Sequence, residues 1–494
     1  MLRAAALVLG MSFLPSFLAT GRVLLAGLLL VAGPARSQFY RIDLTAEKLD
    51  VPASPWQVTR VLDLRPDRSR LGPVRQGLSN EVGSANFSQP LAAELLQLVR
   101  AQVPLRAGAR PVVMRVFTLA LSEDLRANSE AGEAELVADF LEPQPDSTFR
   151  VLLAVGESTR RSGLDVTKHH AANLALLLQQ GLRQLATQPA PAPNAETLSP
   201  AEARAGRGGA LSQRFPIQAA ATPRRGFYRS FREFRDNAPS EPDYAFAIEH
   251  IAHAGKRWAG TDEVQATYLR TDAKHQRTLV GRGNLWGLSD GREMLIAHRG
   301  HFYKLLPAAD GHRYTFSGPP LFDEQTANNM AAAALLGGAV GAAIVGAAST
   351  APPTLPYEVH LASGRVVPVP DAGHSDADGF QSVPDTAHVY VLRRADSPKN
   401  RPATLRLPGR VPQRLAARQW VAMPWTDRRQ ELTLCAQTEG GPEICFSLVP
   451  DFSQPTYVEC IVPADGGAPA FRRISAREGA FEMRRLRLLA KSQP

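Results

Sequence analysis

Residues 331–348 read AAAALLGGAVGAAIVGAA, and no charged residue occurs between Gln325 and Tyr357. A stretch of this kind limits the fold more than any other part of the chain. Met330 to Ala348 is about the minimum length for a membrane span. Yet only Leu335, Leu336, Val340, Ile344 and Val345 add strongly favourable transfer energy, roughly 0.3 to 0.6 kcal/mol each at a bilayer centre. Small residues recur at four-residue spacing. Ala334, Gly338, Ala342 and Gly346 line one helical face, with Gly337 and Gly341 beside them, a stripe that lets helix backbones approach closely. In water each glycine costs a helix about 1 kcal/mol against alanine. A helix over 327–350 therefore needs a bilayer, a second copy of itself, or burial; a flexible loop is the other reading. Strand-like RYTFSG (313–318) precedes the segment and strand-like YEVHL (357–361) follows it. If the two share a sheet they lie on one side of any membrane, which a single crossing forbids.

The remainder is ordinary globular sequence. A chain of 494 residues is too long for one core. It is 44% hydrophobic and 21% charged, with a net charge of +9 spread along its length. No long basic run occurs, so nucleic acid is not expected as a partner. The opening carries Arg22, an apolar stretch Val23–Gly33 and the small-x-small site Ala35-Arg36-Ser37, which reads as a signal peptide over 1–37. Met11 would give a more usual leader than Met1. Export to the cell envelope is expected. Of three cysteines, Cys435 and Cys445 lie symmetrically about a Glu-Gly-Gly-Pro turn, so paired strands would oppose their sulfurs for a disulfide; two half-buried thiols is the plain alternative. Cys460 would stay free.

The expected fold class is α+β. Residues 38–188 form a domain in the order β-α-β-β-β-α. VTRVLDLR (58–65) is its first strand, and a helix capped by Ser88 buries Leu91, Leu95, Leu98 and Val99. Three β-rich runs follow, then a helix buries Leu174, Leu177, Leu178, Leu182 and Leu185. Two helices on one face of an antiparallel sheet is the economical packing. Residues 189–226 are rich in Pro, Ala and Gly and read as a linker. A β-meander is expected over 227–320, opened by a short helix with Ser230 and Glu233 as a capping box. Its Tyr228, Phe231 and Phe234 serve the core or, less economically, stack bases. A hairpin and polar connector (356–384) and a β-rich, sandwich-like domain (385–494) complete the chain.

The order of elements in 38–188 resembles the auxiliary lipoproteins of bacterial envelope ABC transporters, though the lipidated cysteine of that family has no counterpart here. GFYRSFREFRDNAPS (226–240) resembles a segment of uncharacterised exported envelope proteins of Bacteroidota, which implies a β module without a transferable activity. The strand rhythm of 385–494 is similar to the terminal β-sandwich modules of bacterial lipoproteins and surface proteins, which implies a structural or ligand-binding role.

Candidate chemistry is sparse. His250 and His253, and His298 and His301, form close pairs. Zinc would need a third ligand for either, and the glutamate in EHIAHAG precedes both histidines, unlike the metalloprotease order. HSDADGFQSVPD (374–385) puts Asp376, Asp378, Gly379 and Asp385 where a calcium loop would, but His374 stands at the first ligand position and no helices flank it. GHSDA falls one residue short of a nucleophile elbow. Arg65, Arg68, Arg70 and Arg75 read as a solvated loop, or as a contact for anionic lipid. The expected function is a non-catalytic envelope protein of binding and structural modules, without cofactor or metal. It is expected to associate with a membrane, other envelope proteins, or itself through the Gly/Ala helix. Alternatives are an accessory of envelope lipid or solute transport, and a hydrolase using His250 or His298.

Overall fold

The computed structural model describes residues 40–491 apart from 77–80, 127–128, 164, 191–193, 242–244, 253–261, 269–277, 281–282, 319–354, 370–383, 395–401 and 465–466. The expected leader, the small-residue stripe from Ala334 to Gly346 and most of the calcium-like loop lie outside the described residues. The architecture is mixed and mostly β.

The first module holds β1 (Tyr40–Ile42), β2 (Ser54–Asp63), β3 (Gly72–Gln76), β4 (Glu81–Phe87), α1 (Leu91–Gln102), β5 (Leu105–Arg126), β6 (Ser129–Pro143), β7 (Phe149–Gly163), α2 (His170–Thr187), β8 (Thr197–Leu198) and α3 (Pro200–Arg204). Its main sheet runs β2-β5-β6-β7-β8, and a small sheet runs β1-β4-β3. The four leucine and valine positions of α1 and the five leucines of α2 are all buried against the main sheet. Three expectations need correction. The sheet is not wholly antiparallel, because β2 pairs β5 in parallel, as a connection that returns through a helix requires. Ser88 does not cap α1. Pro90 stands at the N-cap with no side-chain bond, and proline tolerates that place because the first N–H groups of a helix lack partners anyway. The arginine stretch is not a solvated loop. Arg65 and Arg70 are 5% and 6% exposed; Arg65 pairs with Asp63 at 2.9 Å and donates to the Arg70 carbonyl at 3.0 Å.

Nor is 189–226 a free tether. β8 adds to the edge of β7. Behind it, Arg115 on β5 and Asp139 on β6 face each other in register, and both side chains are 0% exposed. Arg115 Nε and Nη2 donate to Asp139 Oδ1 and Oδ2 at 2.8 and 2.6 Å. Its Nη1 donates to the carbonyls of Ala203 and Arg207 at 3.1 and 2.9 Å, while the Ala210 amide donates to Asp139 Oδ2 at 3.0 Å. The turn therefore closes over a buried ion pair that needs its backbone groups. Gly209 sits there at φ +61°, where an added Cβ would strike the Asp139 carboxylate. Phe215 and Ile217, the latter on the short α4 (Pro216–Ala219), pack into the core of the next module.

That module contains β9 (Gly226–Tyr228), α5 (Phe231–Arg235), β10 (Phe246–Ile251), β11 (Glu263–Tyr268), β12 (Thr278–Leu279), β13 (Gly287–Ser289), β14 (Met294–His298), β15 (His301–Pro307), β16 (Arg313–Gly318), β17 (Leu355–His360) and β18 (Val366–Pro368). The hairpin expected as a separate piece is continuous with the meander, since β17 pairs β16 from Arg313↔His360 to Gly318↔Leu355. The two ends of 319–354 thus leave from adjacent strand positions. No helix among the described residues is long and apolar enough to cross a membrane.

The last module has β19 (Ala387–Leu392), β20 (Ala403–Arg406), β21 (Gln413–Leu415), β22 (Trp420–Trp425), β23 (Leu432–Thr438), β24 (Glu443–Leu448), β25 (Thr456–Ile461), β26 (Ala470–Ile474) and α6 (Ala476–Lys491). Sheets β22-β19-β25-β26 and β21-β20-β23-β24 share one core in which Val389, Val391 and Val458 meet Leu405 and Leu434. The C-terminal stretch expected as strand is the helix α6. It seats Met483 and Leu486 on Tyr457, and Gly479 leaves no room for a Cβ against that ring.

Removing one partner of a buried ion pair leaves an uncompensated charge, at a cost of about 3–5 kcal/mol. Arg115→Met or Asp139→Leu should lower the unfolding free energy from denaturant titration by that order, and the double variant should recover part of it. Equal and additive losses in a double-mutant cycle would show that the two groups do not act together.

Candidate functional site

Sequence motifs scatter when placed on the fold. Cys435 and Cys445 stand opposite each other on β23 and β24 and are joined by a disulfide, with Cα atoms 4.0 Å apart. Cys460 is free and buried, and burial pushes its thiol up to about 11. His250 rests on Glu293 at 2.6 Å on an outer strand, and His253 lies outside the described residues. His298 and His301 face each other across the Arg299-Gly300 turn, with the His298 ring against Phe316 and Tyr357. Of the calcium-like loop, only Pro384 and Asp385 are described. Asp385 approaches Arg428 at 3.5 Å. Tyr228, Phe231 and Phe234 are core residues, and Phe234 stacks on Trp286 at 4.5 Å. Ser230 accepts from the Glu233 amide at 3.3 Å, but Glu233 reaches the Arg229 amide, not that of Ser230, so the capping box is half formed.

One cluster looks reactive on paper. Glu135 on β6 meets His360, Ser363 and Arg365 of the β17–β18 turn. Glu135 Oε1 and Oε2 lie 3.0 and 3.1 Å from His360 Nδ1, Arg365 lies at 3.3 Å, and the Ser363 hydroxyl donates to Oε1. Serine and histidine both turn to the carboxylate, so the histidine does not hold the serine proton as a nucleophilic pair requires. Burial pushes the Glu135 carboxyl up, but the His360 and Arg365 charges and the hydrogen bonds from His360 and Ser363 outweigh it and leave it at about 2. Burial works against the His360 proton too, but Glu135 and the nearby Glu358 raise its pKa, with Arg365 opposing. The cluster is a clamp between modules. Ser158 strengthens it by donating to the Ser363 carbonyl at 2.9 Å, and Gly156 lets the Ala362 backbone approach where a Cβ would collide. The last module is tied similarly: the Arg68 amide donates to the Arg428 carbonyl at 2.9 Å, and Ser84 meets Ser453 at 2.8 Å.

A roomier place lies where the first and last modules meet. A cleft of about 510 Å³ has Arg41, Ser88 and Gln89 on one wall and the Asp451–Tyr457 turn, β26 and the start of α6 on the other. Strand β1 brings Arg41 there by pairing with β4, opposite Asn86. Strand β26 contributes Phe471, Arg472 and Arg473, and α6 contributes Ala476 and Arg477. Phe471 stacks on Phe446 with centroids 6.0 Å apart. Arg472 is engaged by Glu459 at 2.7 Å and Glu478 at 3.2 Å. Asp451, the lining carboxylate, is spent on its own turn, accepting from the Ser453 amide at 2.8 Å, the Ser453 hydroxyl at 2.6 Å and Gln454 at 2.9 Å. Burial draws the Arg473 guanidinium below its ordinary value, against the pull of Asp451. Guanidiniums stay protonated at neutral pH and donate without accepting. The lining therefore presents more positive charge than negative, with Asp451 as its carboxylate.

Of these lining residues only Ser88 stood out in the sequence, and as a helix cap, not as part of a site. One available signal was SARE (475–478), a serine three residues before a glutamate, which marks a helix start. The Glu478 amide does donate to Ser475 Oγ, at 3.1 Å.

The clamp has a pH window. The depressed Glu135 contributes stability above its unfolded value of about 4.3, lost as pH falls toward about 2. The raised His360 contributes fully below about 6.5, lost as pH rises through its folded value. The melting temperature of the wild type minus that of Glu135→Gln should peak between about pH 4.5 and 6.5. A flat difference from pH 4 to 9 would remove the clamp. Cys460 should resist a maleimide in the folded, unreduced protein, and denaturation without reductant should release one reactive thiol; two or three would deny the disulfide.

No protein-family model, no curated protein and no solved structure matches this chain.

Proposed function

We propose that this chain is a non-catalytic cell-envelope protein, an assembly of β-rich modules that binds an envelope component and associates with a membrane. The carrying observation is the cleft between the first and last modules, lined by Arg41, Arg472, Arg473 and Arg477, with its one carboxylate fixed in a turn. Such a surface recognises charge and holds no acid–base pair of its own. The Glu135, His360, Ser363 and Arg365 cluster supports the same reading, because its hydrogen bonds fasten the first module to the second. The Cys435–Cys445 bridge suits a compartment where disulfides persist. Other envelope proteins, or further copies of this chain, are the partners such a body would meet.

A transport role for the first module would need an apolar groove between its helices and sheet. That space is filled by Leu95, Leu98, Leu174, Leu178 and their neighbours. The hollow left beside Trp56 and Leu182 is about 170 Å³, smaller than the ~300 Å³ at which ligand pockets begin. The binding reading is the better supported.

Expression of the full chain with its own leader in a bacterium with an outer membrane, followed by fractionation, tests the reading. The protein should be recovered from the envelope with Cys435 and Cys445 oxidised, and should turn over no ester, peptide or phosphoester in a broad screen. A cytosolic protein with reduced thiols, or turnover lost in His250→Ala or His298→Ala, would overturn it.

A further inference from the structure

The cleft sets two chemistries side by side. Arg41 and Arg477 line it with exposed side chains; neither belongs to an ion pair among the described residues, and the Arg41 charge acts only at longer range on the exposed Asp43. The opening turn of α6, Ser475 to Arg477, also lines the cleft, and the first N–H groups of a helix have no acceptor within the helix. Guanidinium forks and helix-start amides both match the oxygens of a phosphate. Phe446, Phe471, Pro455 and Ile474 add apolar lining, and the volume of about 510 Å³ falls within the range of small-molecule sites.

We propose that the cleft binds an amphiphile with a phosphate head and an apolar body, the head held by Arg41, Arg477 and the start of α6, and the body lying along Phe446 and Phe471. This deepens the binding role proposed above and rests on it. Phosphate is favoured over a larger polyanion because a cleft of about 510 Å³ has room for one small head and a short apolar body. A head alone would leave the aromatic wall uncovered. A neutral amphiphile would leave the two arginines unmatched, so the site discriminates on both parts of its ligand.

The test uses the full chain, calorimetric titration and three soluble probes below their micellar range: decyl phosphate, inorganic phosphate and decyl maltoside. Decyl phosphate should bind, and inorganic phosphate should bind at least about tenfold more weakly. Decyl maltoside should not compete. The Arg41→Gln/Arg477→Gln variant, which removes exposed side chains without ion pairs, should melt as the wild type does and lose at least about tenfold in decyl phosphate affinity. Raising salt from about 50 to about 500 mM should weaken binding in the wild type more than in the variant. Sedimentation with phosphatidic acid vesicles, lost in the same variant, would identify the source as membrane lipid; binding of the soluble probe without sedimentation would identify a free amphiphile. No decyl phosphate binding, equal affinity in the double variant, or equal affinity for the maltoside would each overturn the assignment. None of these failures would touch the envelope location or the absence of turnover, which fractionation and the substrate screen decide separately.

Discussion

A guanidinium sealed from water must satisfy every donor it carries, and Arg115 meets that demand by fixing a stretch of chain that has no strong structural preference of its own. Asp139 takes two of its bonds, and carbonyls of the 203–208 turn take others. The Pro/Ala/Gly stretch is thereby drawn onto β5 and β6, and it delivers Phe215 and Ile217 to the next core. Everything downstream inherits this placement. The β17–β18 turn reaches Glu135 because the second module is already held near β6, and the carboxylate and its three partners then complete the joint. Charge does the joining in this molecule, while apolar residues build the interior of each module.

Such joints explain the distribution of ionisable groups. Desolvating a charge is costly unless a partner meets it, and Arg65 with Asp63, Arg115 with Asp139 and Glu135 with Arg365 are buried as matched sets. The cleft between the first and last modules departs from the pattern. Arg41 and Arg477 belong to no ion pair among the described residues, and Asp451 is committed to its turn. An imbalance of that sign at a concave surface raises the local concentration of anions.

The elements that were legible in the sequence are those with strong periodicity. The stripes Leu91-Leu95-Leu98-Val99 and Leu174-Leu178-Leu182-Leu185 define α1 and α2, and the turn between Cys435 and Cys445 defines β23 and β24. Residues 189–226 were misread because their order comes from Arg115 and Asp139, some sixty to a hundred positions earlier, and no local pattern encodes that. Arg65 and Arg70 were misread for the same reason, since solvation of a charged loop is the default until a distant sheet covers it. Helix α6 was hidden by its density of arginine, although SARE at its start and the Gly479-Met483-Leu486 spacing carried the signal. The cleft itself joins Arg41 to Arg477 across almost the whole chain, a proximity that only the closed fold creates.

The side-by-side exit of Gly318 and entry of Leu355 bears on how this protein can change over time. Closing a loop between two fixed neighbouring points costs free energy that grows only with the logarithm of its length. Register between β16 and β17 is set by Tyr314, Phe316, Tyr357 and Val359 within the core. The sheet is therefore indifferent to how many residues intervene. Additions, losses and drift in composition can accumulate between those two strands while the body around them stays the same, which leaves that interval open to selection for whatever surface it meets.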